Sequence, residues 1–163
     1  MNRGIKFEIP NEYGDNLGRI FSEFPVDDYY WVLLDADVYK ACPHPEDNSF
    51  FEKIEYEGPE FRQKIEAKHY IVFFSVIAFP SAASAKLKVR TYQEFLQSDA
   101  RLCFNVIDSG YVSVYTRNPE DTELFTKNGN AIHCSPVEAI PENDKVDELS
   151  QGMVDWLLAH GMI

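Results

Sequence analysis

RLCFNVIDSGYVSVYTR, residues 101–117, reads as two strands joined by a tight turn, and its register decides the fold. A two-residue loop, Ser109-Gly110, would set Phe104 opposite Tyr115 and leave both faces mixed. A three-residue loop, Asp108-Ser109-Gly110, pairs Ile107 with Tyr111, and Leu102, Phe104, Val106, Val112 and Val114 then share one face. Register follows the face that must be buried, because a slip of one residue inverts every side chain. The spacing therefore predicts the three-residue loop, a type I turn, and positive φ at Gly110, where that conformation costs least. The other face carries Cys103, Asn105, Ile107, Tyr111, Ser113 and Tyr115. Tyr111 and Tyr115 are the candidate partner-binding residues, since amphipathic aromatics are enriched at interfaces. A second layer packed over those tyrosines is the competing expectation.

Working outward, residues 70–79 are almost unbroken apolar, as a central strand covered on both faces would be. Thr91 with Glu94 makes a capping box for a short helix ending at Gln97. Pro59 opens a helix that carries Phe61 and Ile65. Residues 41–59 are polar and proline-containing, a long surface loop with one short element. Residues 29–34 form a strand, and Asp35-Ala36-Asp37 reads as a turn into a second strand at Val38-Tyr39. Near the start, Ile5, Phe7 and Ile9 alternate on a half-buried strand, and Asn11 caps a helix running to Phe24. Downstream, Asn118 and Pro119 begin a helix with Gly129 just past its end. Residues 131–140 read as a strand interrupted by Pro136, and residues 144–163 as a peripheral amphipathic helix bearing Val146, Leu149, Met153, Trp156 and Leu157. Two hairpins, near 35 and near 109, break any strict strand–helix alternation. The expected fold is α+β, a single domain with a mainly antiparallel sheet and helices packed on it.

Composition bounds the function. Of 163 residues, 45% are apolar and 14% aromatic, enough for a core without staples. Net charge is −12, placed unevenly: residues 1–59 carry −8, residues 60–117 carry +3, and residues 118–163 carry −7. Nucleic-acid binding needs phosphate neutralisation, which this balance disfavours. No apolar run approaches the ~20 residues of a membrane span, and the start lacks a signal peptide, so a soluble cytoplasmic protein is expected. Cys42, Cys103 and Cys134 are odd in number and widely spaced, so they form no disulfide framework. Cys42-Pro43-His44 and His133-Cys134 lack the ligand spacing of structural zinc, so no metal or cofactor is expected. Lys86, Lys88 and Arg90 read as a solvated loop, His69 as structural, and His160 as a cation in a helix's last turn.

WVLLDADVY, residues 31–39, resembles the first motif of the haloacid dehalogenase-like phosphatases. That resemblance implies Asp35 as nucleophile and Asp37 as acid/base, with magnesium between them. The family also uses a Ser or Thr at a second strand end, a lysine and a further acidic pair. Here Ser75 falls inside an apolar run and Asp121 follows a helix start. A second resemblance covers more of the chain. RGIKFEIPNEYG, residues 3–14, and residues 92–118, with YYW at 29–31 and FFSVIAFP at 73–80, are similar to short uncharacterised proteins of Bacillus and related bacteria. It implies a bacterial cytosolic domain of unknown function and carries over no catalytic residue. Two readings stay open: a non-catalytic, acidic domain that binds another protein, and a small magnesium-dependent hydrolase using Asp35 and Asp37.

Overall fold

The computed structural model describes residues 2–41, 49–86, 89–132, 134–144 and 149. Its middle is the strand Tyr70–Phe79 (β4), whose last seven residues are all buried, as the apolar run requires. Around it lie Gly4–Glu8 (β1), Tyr30–Tyr39 (β2), Glu55–Glu57 (β3), Leu102–Ile107 (β5), Tyr111–Thr116 (β6) and Glu138–Ile140 (β7). They form one antiparallel sheet in the order β3-β2-β4-β5-β6-β1-β7. The helices are Asn16–Ile20 (α1), Gly58–Glu66 (α2), Tyr92–Gln97 (α3) and Pro119–Ile132 (α4). The fold is the expected α+β one. No helix among the described residues is long and apolar enough to cross a membrane.

Three of the helices cover the first face. Leu17 and Ile20 of α1, Phe61 and Ile65 of α2, and Phe125 of α4 close over Trp31, Leu33, Phe74, Val76, Phe104 and Val114. Trp31 stacks on Phe61 with centroids 4.4 Å apart and meets Phe21 edge-on at 5.5 Å. Its indole N–H donates to the Val26 carbonyl at 3.0 Å, so the ring is buried without an orphaned donor. On the second face, Tyr92 and Phe95 of α3 pack with Val89 and Leu149 over Ile77, Phe79, Cys103 and Tyr115. The capping box forms as expected: Glu94 N donates to Thr91 Oγ1 at 3.1 Å, and Thr91 N to Glu94 Oε1 at 3.1 Å.

The hairpin has the expected register, Ile107 opposite Tyr111 and Phe104 opposite Val114. Its turn differs. The left-handed residues are Asp108 (φ 50°) and Ser109 (φ 65°), while Gly110 lies outside that region. Tertiary hydrogen bonds impose this: Ser109 N donates to Val72 O at 2.9 Å, and Ile9 N to Gly110 O at 2.8 Å. The glycine serves the close approach instead, since a Cβ there would sit 3.0 Å from Ile9 O.

Five further expectations are corrected. Asp35-Ala36-Asp37 is no turn: β2 runs straight through, and pairing with β4 slips by one residue at Leu34 and recovers at Val72. Two bulges absorb what a hairpin would have done. The helix expected over residues 11–24 shrinks to α1, because Gly14 and His69 exchange backbone hydrogen bonds at 3.0 and 2.8 Å. The helix expected to stop before Gly129 continues to Ile132, where the glycine lets α4 lie against the Phe7 ring; a Cβ would meet it at 3.0 Å. The strand expected over 131–140 is therefore only β7, beyond Pro136. The segment read as loop buries Phe50 and Phe51 and supplies β3. Of the C-terminal helix expected over 144–163, only Asp144 and Leu149 fall within the described residues.

His69, 1% exposed, ties β4 to α1. Nδ1 bonds Ala67 O at 2.8 Å, and Nε2 accepts the Leu17 N–H at 3.3 Å, an arrangement that requires the neutral ring. Burial holds its pKa below the usual 6.5, outweighing the Ala67 hydrogen bond and the Asp15 charge. The unfolded chain thus protonates first, so this contribution is complete above pH 6.5 and is lost as pH falls from there through the lower folded value. Two outcomes are expected. Melting between pH 8 and 5 should show an acid loss of stability that is smaller in His69→Gln; identical slopes would clear His69 of that role. Trp31→Ala should lower unfolding stability by about 3–5 kcal/mol in urea titration, from lost stacking and cavity formation.

Candidate functional site

Alternation along each strand sends a polar residue from six strands onto the second face, in a single transverse row. Asp35 stands opposite Ser75, Ser75 opposite Asn105, Asn105 opposite Ser113, Ser113 opposite Lys6, and Lys6 opposite Glu138. Ser75 and Asn105, at the centre, are 2% and 1% exposed. They satisfy each other: Ser75 Oγ donates to Asn105 Oδ1 at 2.5 Å, and Asn105 Nδ2 donates to Ser113 Oγ at 3.3 Å. On one side of the row lies the layer under α3. On the other, near the hairpin turn, the sheet opens into a concavity of about 430 Å³.

That concavity lies along β1, β6 and β7, with Lys6, Glu8, Tyr111, Ser113, Pro136 and Glu138 in its wall. The β1 alternation turns Ile5 and Phe7 into the core and leaves Lys6 and Glu8 outside. β6 brings Tyr111 opposite Glu8. Ser135 fixes the rim, its Oγ accepting Glu8 N–H at 2.8 Å, and β7 then sets Glu138 beside Lys6. Sequence reasoning made β1 a half-buried strand without singling out Lys6 or Glu8, and it missed Ser135, Pro136 and Glu138 as site residues. Their place depends on β7 returning to β1 from over 130 residues away, which no local pattern records.

The two candidate tyrosines part company. Tyr111 is 50% exposed at the concavity, whereas Tyr115 is 7% exposed beneath Tyr92, their centroids 6.1 Å apart. Burial pushes the Tyr115 phenol up to about 12, and Cys103 beside it also to about 12, leaving that thiol protonated and inert. Asp35 and Asp37 share the second face but stand across the sheet from the concavity, on β2. Burial raises the Asp35 pKa, and the neighbouring Asp37 charge adds to it. Asp37 accepts the Tyr39 hydroxyl, and that bond pushes the phenol up to about 12. Cys42, His44 and His133 lie outside the described residues, and Cys134 is exposed.

Residues 2–150 match the family described as "Protein of unknown function (DUF2691)". An uncharacterised protein of Bacillus subtilis (strain 168), YncE, is 35% identical over 147 residues, covering 88% of this chain and 95% of its own length. No solved structure matches.

Because its folded pKa is raised, Asp35 favours folding below about pH 3.8 and loses that contribution as pH rises through the folded value. At neutral pH the charge opposes folding. Asp35→Asn should therefore be the more stable protein at pH 7, with the difference closing as pH approaches 3.8. Urea midpoints across that range measure it. A variant less stable than wild type at pH 7 would show that the carboxylate has a favourable partner instead.

Proposed function

We propose that this chain, which belongs to the DUF2691 family of proteins of unknown function, is a non-catalytic protein-interaction domain acting in the cytoplasm. Its contact surface is the concavity along β1, β6 and β7. The observation that carries this reading is Tyr111: a large amphipathic ring held 50% exposed at the end of a hairpin, at the mouth of a hollow of about 430 Å³. Exposed aromatics on regular elements are the anchors that dominate binding energy at interfaces. The neighbouring chemistry suits recognition better than turnover. The buried Cys103 thiol is held protonated, and the polar groups at the middle of the face, Ser75 and Asn105, already bond to each other.

The hydrolase reading keeps one supporting observation, the raised pKa of Asp35 beside Asp37 and opposite Ser75. Asp37 is engaged by Tyr39, which weakens its candidacy as acid/base. A photo-crosslinking residue at position 111, activated in living bacterial cells, separates the two readings. A discrete crosslinked protein is expected from position 111 and not from position 54, which is 70% exposed elsewhere. No discrete product, together with magnesium-dependent phosphate-ester turnover abolished by Asp35→Asn, would reverse the assignment.

A further inference from the structure

The charges along the concavity do not balance. Lys6 stands opposite Glu138, one against one, while Glu8 stands opposite Tyr111. Two carboxylates thus share a single ammonium, and the surplus one is the direct cross-strand neighbour of the exposed ring. Directly opposed residues on antiparallel strands hold their Cβ atoms about 5 Å apart. One incoming group can therefore meet ring and carboxylate together. A cation is drawn to both, since the ring face carries the negative end of its quadrupole. A guanidinium fits better than an ammonium: it is planar, stacks on a ring, and presents a fork of donors to a carboxylate.

Resting on the reading of this concavity as an interaction surface, we propose that the partner is a basic protein segment that inserts an arginine side chain between Tyr111 and Glu8. N-acetylarginine amide serves as the probe, titrated into the isotope-labelled full chain while backbone amide shifts are followed. The citrulline counterpart is the uncharged comparison. The arginine compound should give saturable shifts centred on Glu8, Tyr111 and Glu138, with a Kd on the order of millimolar. Citrulline should give none. Tyr111→Leu and Glu8→Gln should each weaken binding by about threefold or more. Glu66→Gln, removing an exposed charge from α2, should leave it unchanged. The same spectra report whether each variant keeps its fold. Equal shifts with citrulline, shifts scattered over the surface, or equal weakening by Glu66→Gln overturns the arginine site. The two readings fail separately. A crosslink from position 111 onto a segment without arginine, or onto a second copy, keeps the interaction and removes the arginine. Specific arginine binding without a crosslinked protein does the reverse.

Discussion

A central strand with both sides buried sets the terms for the whole molecule. Val76 to Phe79 present apolar side chains alternately up and down, so the sheet must be covered twice, and 163 residues supply the covers unequally. The first face takes three helices and a continuous aromatic cluster built around Trp31, Phe21 and Phe61. The second face takes one short helix together with Val89 and Leu149. Among the described residues, the concavity lies where that cover ends. The candidate site is thus a by-product of coverage: a strand order that buries β4 and β5 leaves β1 and β7 at the margin, with their outward residues free to be charged.

The polar row marks the boundary between those two regimes. A serine and an asparagine inside a sheet would be costly if left unsatisfied. Here each answers the other across β4 and β5, and Ser113 passes the bonding on toward solvent. The arrangement fixes side-chain orientation on three strands at once, beneath the wall that holds Tyr111. A rigid floor lowers the entropy lost when a partner docks.

Legibility in the sequence followed range. The bounds of β4, the start of α2, the capping box at Thr91 and the register of the 102–116 hairpin are all local, and each was readable from residue type and spacing. Gly110 and Gly129 were misread because their reason is a distant neighbour, Ile9 in one case and Phe7 in the other. α1 was overextended for the same cause, since only the fold brings His69 to Gly14. Both tyrosines could be placed on one face, but not told apart. Tyr111 and Tyr115 occupy equivalent positions on β6, and the difference between them is α3, packed from outside the hairpin.

The slip between β2 and β4 has a consequence in parity. Before Leu34 the odd-numbered residues of β2, Trp31 and Leu33, point into the helix-covered core; after it the even-numbered ones do, with Ala36 and Val38 against that core. One inserted residue has therefore inverted the rest of the strand. Remove it, and Asp35 and Asp37 would turn inward against Phe74 and its neighbours while Ala36 turned out. Val72 performs the matching inversion on β4, so the strands regain step by Val38 and Tyr39. This stretch can change by substitution, or by paired gain and loss across the two strands. A lone deletion there would shorten the chain by one residue and exchange its oily side for its charged one.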